Sequence, residues 1–460
     1  MHDGQIHERV SMKSALLIVA AGVLAISVHQ NNGTQTPLAI ALLMLSCLAT
    51  IAALFAGSRT VAREWVEWLL VVMILAAVCS TPEGIFRLPF QGVGSMQLCQ
   101  LFAMTGGAGV LAGVVVCARD RMSHSAFVLL TAVVAGIGLW VIQFMPVPPI
   151  DVFMFQNDSI ASLLNGVNPY RITFPDMYTQ DASAAYYGPG VSVNGRLMFG
   201  YPYTPLPLLL TVPGYLLGDV RYVELASILA TPVLIALAGR DRLHRGIGAM
   251  LLVTPQMPHV LSQSWVDPIS LTLLACVYYC TRRCAKALPY AVAMLLISKQ
   301  YMAVALPLAL LAMERPWTRL RVSKFAVPFV LTGAVITLPL VLWDVRAFMD
   351  SAIYLQIRQP YRPDSLSFIA WANPQNPAVW MWLPFALVMC AWGLIFWRSR
   401  SGRISLSYAF SLVMLLFFAF NKQAFANYYY LVIGGLCIAS AEEIAVVDPT
   451  ESKTGGRVSS

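Results

Sequence analysis

The chain has 460 residues, of which 58% are hydrophobic and only 11% charged, with a mean hydropathy of +0.68. A soluble globular domain carries about 25% charged residues, so the composition excludes a soluble enzyme and requires an integral membrane protein. The formal net charge of +8 could suit nucleic acid, but the basic residues gather at the ends of apolar runs, where they report topology and point away from a nucleic-acid partner.

Apolar runs long enough, at 1.5 Å rise per residue, to approach a ~30 Å hydrocarbon core fall at 14–28, 37–57, 66–80, 97–117, 125–149, 222–239, 246–263, 266–281, 324–343, 378–397, 405–420 and 425–441. The first has basic residues before it and polar "HQNNGTQT" after it, and reads as a retained helix rather than a cleaved signal. Basic clusters occupy alternate loops: Arg59/Arg63, Arg119/Arg121, Arg240/Arg242/Arg245, Arg282/Arg283/Lys286, Arg315/Arg319/Arg321/Lys324 and Arg398/Arg400/Arg403. The positive-inside rule makes that face cytoplasmic, with Arg9/Lys13 and the tail Lys453/Arg457 on the same side.

Two further apolar runs violate the alternation. The run 287–313, bounded at both ends by basic clusters, is predicted to be a hairpin with Lys299 of "SKQY" at its apex; each arm of about a dozen residues rises roughly 18 Å. The run 203–218, broken by prolines 205, 207 and 213, is predicted to be re-entrant or interfacial. The expected fold is therefore an all-α polytopic membrane protein of about 14 transmembrane segments plus that re-entrant or interfacial element. It divides into a four-helix block at 1–124, a larger transmembrane domain at 125–445 with long outer segments 150–202 and 344–377, and a disordered cytoplasmic tail at 446–460.

The nine cysteines show no Cys-x-x-Cys and no paired histidines, so neither a zinc site nor a disulfide framework is expected. In "PPIDVFMFQNDSIASLLNGVNPYR", residues 148–171, Asp151 opens a helix-like stretch ended by Gly166. Asp151 can serve as an N-cap or as a general base at the water boundary. Asp158 follows two turns later, about 10 Å away, too far to share one metal ion. It either orients a sugar or solvates the helix face. Nine basic residues remain for the outer face, among them Arg171, Lys299, Arg358, Arg362 and Lys422. A cation on an apolar hairpin needs an anion, a wet cavity or a snorkelling path, so Lys299 is a candidate phosphate ligand with Lys422, Arg358 or Arg362 as helpers. His259 and Trp265, beside Gln263 and Asp267 in "PHVLSQSWVDP", are either sugar contacts or an interfacial anchor, and the same choice applies to Tyr201.

The ordered set of Asp151 after a helix, "SLLNGVNPYR", "YYGPG", "YPYTPLPLLLTVPGYLLGDVRY" and "SKQYMAVALPLALL" resembles the C-type (GT-C) polyprenyl-phosphate-dependent glycosyltransferases, most of all the family 87 mannosyltransferase-like branch. The resemblance covers about 150–440. It implies a multi-pass enzyme of a cell membrane, such as a bacterial inner membrane, with its active site facing the extracytoplasmic side. Asp151 would be the catalytic base, and a mannose-like hexose would pass with inversion from a polyprenyl-phosphate donor to a glycan, lipid or protein acceptor. No cofactor is fixed by it, and a divalent cation stays open. This chain departs from the family in the four crossings that precede the loop and in Tyr201-Pro202-Tyr203 where the family has Tyr-Pro-Pro. A polytopic transporter, or a flippase or ligase acting on lipid-linked glycans, is the alternative reading.

Overall fold

The computed structural model describes residues 8–86, 88, 90, 93–313, 315–373, 375, 380–402 and 404–444; the tail expected at 446–460 lies outside them. The chain is 73% helical. The helices are α1 Met12–His29, α2 Pro37–Phe55, α3 Arg63–Phe86, α4 Ser95–Cys117, α5 Asp120–Phe144, α6 Asp151–Leu164 and α7 Gln180–Tyr187. There follow α8 Pro205–Leu216, α9 Arg221–Gly239, α10 Arg242–Leu252, α11 Met257–Ser262, α12 Asp267–Arg283, α13 Leu288–Ile297 and a 3₁₀ helix Gln300–Ala312. The last part carries α14 Arg319–Trp343, α15 Val345–Phe348, a π-helical stretch Met349–Tyr354, α16 Leu355–Arg358, α17 Phe368–Ala372, α18 Leu383–Arg398, α19 Leu406–Ala419 and α20 Ala426–Glu442.

Seven of these helices contain spans long and apolar enough to cross a bilayer: α1, α2, α3 over Arg63–Thr81, α4, α5, α9 and α14. Several expected crossings are shorter than their apolar runs, for a local reason. The run 246–263 divides into α10 and α11 because Pro255 and Pro258 lack the N–H that would continue the ladder. Arg240 adopts a left-handed φ of 68°, and the Asp241 carboxylate accepts the His244 amide at 2.9 Å, so the chain reverses at once and α10 lies back along α9. That packing is close: a Cβ on Gly248 would lie 3.0 Å from the Pro232 carbonyl oxygen.

The basic loops meet on one face of the molecule. Arg63 pairs with Glu67 at 3.0 Å and Arg242 pairs with the same carboxylate. Lys13 reaches Glu443 at 3.6 Å, Arg282 the Glu442 carbonyl at 2.8 Å, Arg398 the Leu54 carbonyl at 3.2 Å and Arg315 the Ser399 carbonyl at 3.3 Å. Strands β1 (Arg9–Ser11) and β2 (Thr60–Ala62) pair antiparallel at the same level. Because Arg282 and Arg315 both sit in this layer, the chain between them rises and returns: α13 climbs, turns at Lys299, whose backbone is extended, and descends as the 3₁₀ helix. Alternation of charge thus located the hairpin, and the Lys299 break marks its apex.

On the opposite face the segments 150–202 and 344–373 build one assembly. Strands β3 (Phe174–Pro175), β5 (Arg196–Leu197) and β4 (Ser192–Val193) pair in that order. The Gly200 amide donates to Ser351 Oγ at 2.8 Å, and Gln300 Nε2 donates to the Pro202 and Ala352 carbonyls at 2.7 and 2.8 Å. The hairpin apex is therefore stitched to both outer segments. The first and last long helices also touch: Ser14 and Ser440 share a hydrogen bond at 2.8 Å inside an apolar core that runs from α1 to α20.

Candidate functional site

Helix α6 is amphipathic, as its pattern predicts. Phe155 and Ile160 are buried, and the helix ends before Gly166, whose φ of 71° no branched residue would adopt. Ile150, rather than Asp151, takes the cap position; Asp151 is the first helical residue, where a carboxylate is favoured by the helix dipole. Its Oδ1 accepts the Val152 amide at 2.7 Å and its Oδ2 accepts the Tyr187 hydroxyl. Burial raises the Asp151 carboxyl above the ordinary aspartate range, while the Tyr187 hydrogen bond pulls it back down. Tyr178 and Tyr187, the two rings that reach it, lie tilted at 6.4 Å, and Tyr186 packs edge to face against both. Further along the helix, Gln156 Nε2 donates to Glu224 Oε1 at 3.0 Å and to the Ser264 carbonyl at 2.7 Å, a buried anchor that fixes α6 against α9.

Lys299 sits where its extended backbone interrupts the hairpin, and its ammonium is 2.8 Å from Asp267 Oδ2. Both side chains are buried, at 5% and 0% exposure. Asp267 opens α12 and also accepts Tyr301 Oη at 2.5 Å and Asn427 Nδ2 at 2.9 Å, so three donors converge on one carboxylate. The rings of Tyr203, Tyr301 and Tyr428 surround the ammonium at 5.3, 5.3 and 5.5 Å, a cation–π cage.

Above the pair lies a cavity of about 500 Å³. Its lining is mostly apolar, with Phe385, Phe417 and Phe418, and includes the polar Lys299, Gln300, Gln356 and Lys422. Tyr203 also lines it, and burial and the negative charges of Asp151 and Asp267 together hold the Tyr203 hydroxyl well above its ordinary range. Asp151 itself is not among the residues that line the cavity.

The remaining candidates separate clearly. Lys422 lines the cavity, but its ammonium donates to the carbonyls of Gln356, Ile357 and Gln359 at 3.0, 3.0 and 2.7 Å, which uses all three donors; burial lowers its pKa. Arg362 forms a bidentate pair with Asp364 at 2.9 and 2.7 Å and stacks on Tyr186 and Phe425. Arg358 is exposed over Tyr354, and Arg171 pairs with Asp344. Asp158 is half-buried, its carboxyl raised by burial against the opposing pull of Arg196. Tyr201 is fully buried between Tyr170 and Tyr203 with no hydroxyl partner among the described residues. His259 and Trp265 pack edge to face at 5.2 Å, and His259 borders a small space with Asn32 and Pro255, apart from the cavity.

The structure thus brings Lys299 and Lys422 to one cavity and leaves Asp151, Arg171, Arg358, Arg362, His259 and Trp265 out of its lining. Asp267, noted in the sequence only as a neighbour of His259 and Trp265, completes the site as the partner of Lys299, together with Tyr301 and Asn427. The signal for Asp267 was the rule that an intramembrane cation needs a named partner, combined with the scarcity of acids in the apolar runs. Among the described residues, no three His, Cys, Asp or Glu side chains converge in a way that could hold a metal ion. No family model, no curated protein and no solved structure matches the chain.

Proposed function

We propose that the protein is a membrane glycosyltransferase that moves a sugar, a mannose-like hexose, from a polyprenyl-phosphate donor to an acceptor on the face opposite the basic loops, with inversion. The observation that carries this reading is the largely apolar cavity that has the caged, ion-paired Lys299 in its lining. A lipid-linked sugar phosphate has matching chemistry: an isoprenoid for Phe385, Phe417 and Phe418, an anionic group for the ammonium and the side-chain amides. The ordered motifs from Asp151 to "SKQYMAVALPLALL" support the same class.

In this reading Asp151 accepts the proton of the acceptor hydroxyl as that oxygen attacks the anomeric carbon. The bond from that carbon to the phosphate oxygen breaks, and its electron pair leaves with the polyprenyl phosphate. Lys299 has donors beyond the one given to Asp267, and these meet the charge that develops on the departing phosphate. Lys422 shapes the wall by holding residues 356–359, because its donors are already committed. The facing of the site is extracytoplasmic if the basic layer is cytoplasmic.

The test is donor turnover by the purified protein offered a panel of polyprenyl-phosphate sugars. Asp151→Asn should lower transfer by ~10²–10⁴-fold, the usual contribution of a general base, with the protein still folded. Full activity in that variant would overturn the assignment. One observation favours a second reading: a helix interrupted at a buried ion pair is also the device of transporters and flippases. Movement of intact labelled lipid across proteoliposomes without cleavage of the sugar phosphate would select it.

A further inference from the structure

A second site lies on the basic side, far along the chain from the cavity just described. Helices α5 and α9 are in tight contact toward the opposite face: a Cβ on Gly138 would fall 2.3 Å from Leu225 Cδ1. Toward the basic face they part, and α10 closes the back of the wedge through Phe127, which packs against Gly248. The opening is a groove of about 630 Å³, within the usual range of ligand sites. Its walls are apolar, from Val128, Ala132, Val233 and Leu237, and its mouth carries His124, Arg240 and Arg245. Val128 and Leu237 are 56% and 52% exposed, so the groove opens sideways on the outer surface of two membrane-crossing helices.

The charges at the mouth are unequal. Arg245 is paired with Asp120 and donates to Ser123 Oγ at 3.2 Å; Arg242 is paired with Glu67; Asp241 is occupied by His244 at 2.8 Å. Arg240 is exposed and forms no ion pair with any described residue. Its φ of 68° is a conformation that bulky residues adopt only when the surroundings impose it, and it points the chain reversal at the mouth. A greasy slot that ends in an unpaired guanidinium at the membrane boundary is complementary to one class of molecule.

We propose that the α5/α9 groove binds an anionic glycerophospholipid of the basic-side leaflet, with its phosphodiester headgroup on Arg240 and one acyl chain between Val128 and Val233. The bilayer supplies this ligand at high local concentration, and juxtamembrane cations gain from anionic headgroups. Binding at this position would clamp α9 to α5. The inference is independent of the sugar-transfer reading.

The experiment is native mass spectrometry of the full-length protein released from detergent, titrated with dioleoyl phosphatidylglycerol, dioleoyl phosphatidylcholine or glycerol 3-phosphate. The wild-type protein should retain one phosphatidylglycerol in preference to phosphatidylcholine. Arg240→Asn removes the charge and keeps a residue that tolerates the left-handed backbone, and should weaken phosphatidylglycerol about fivefold with phosphatidylcholine unchanged. Val233→Trp, which fills the slot and leaves the charge, should remove both lipids. Equal retention of the two lipids, undiminished phosphatidylglycerol in either variant, or glycerol 3-phosphate held as tightly as the lipid would each overturn the proposal.

Discussion

Substituting Lys299 by Met removes one partner of a pair whose members are 5% and 0% exposed. What remains is a carboxylate at the buried start of α12 with two neutral donors, Tyr301 at 2.5 Å and Asn427 at 2.9 Å, and no counter-charge. Breaking a buried ion pair in this way costs about 3–5 kcal/mol, because the survivor keeps its desolvation penalty. That corresponds to roughly two to four orders of magnitude in the unfolding equilibrium. Asp267→Asn is the milder change, since the ammonium keeps three aromatic faces worth about 0.5–2 kcal/mol in such settings. Removing both charges should restore stability toward the native value, so a double-mutant cycle isolates the pairing term. The assay is unfolding by dodecyl sulfate followed by tryptophan fluorescence for the native protein, the two single variants and the double variant. A Lys299→Met cost below about 1 kcal/mol, or single effects that simply add in the double variant, would refute the reasoning and return Lys299 to the rank of an ordinary snorkelling cation.

Tyr187→Phe removes a hydrogen bond that favours the ionised form of Asp151, so the carboxyl titrates at still higher pH. A base works only when deprotonated, hence the acid limb of the rate–pH profile should move upward; an unmoved limb would detach Tyr187 from the chemistry. Lys422→Met leaves the carbonyls of Gln356, Ile357 and Gln359 without their ammonium and should loosen residues 355–361 by about 1.5–3 kcal/mol, read as lost amide-exchange protection; unchanged exchange would show that water replaces the ammonium at no cost. With the native cysteines replaced, Asp181→Cys and Ser401→Cys, both exposed and on opposite faces, should react with an impermeant thiol reagent from opposite sides of the membrane, Asp181→Cys from outside intact cells. Labelling of both from one side would break the topology.

The membrane fold and its interruption were legible because both follow from one-dimensional quantities: run length, and the position of Arg and Lys relative to run ends. The hairpin 287–313 is the clearest case, since charge on both flanks forces a return. Run length failed where proline intervened, as at 246–263, because hydropathy does not register a missing N–H. Within the site, Asp151 and Lys299 announced themselves by being ionisable in apolar company. Their partners did not, because Asp267 lies 32 residues from Lys299 and Tyr187 lies 36 from Asp151, and single-sequence patterns carry no information at such separations. The partners of Lys422 were hidden for the same reason: the carbonyls that take its donors belong to residues more than sixty positions earlier.

The contact between α1 and α20 imposes a waiting time on biogenesis. Ser14 meets Ser440 across 426 positions, and at ~5–20 residues per second the ribosome needs roughly 20–90 s to supply the second hydroxyl after the first. During that interval α1 resides in lipid with a polar seam uncovered, and Lys13 has yet to meet Glu443. The α1–α20 contact cannot form before that interval ends, so a chain truncated before residue 440 leaves the opening helix without its mate.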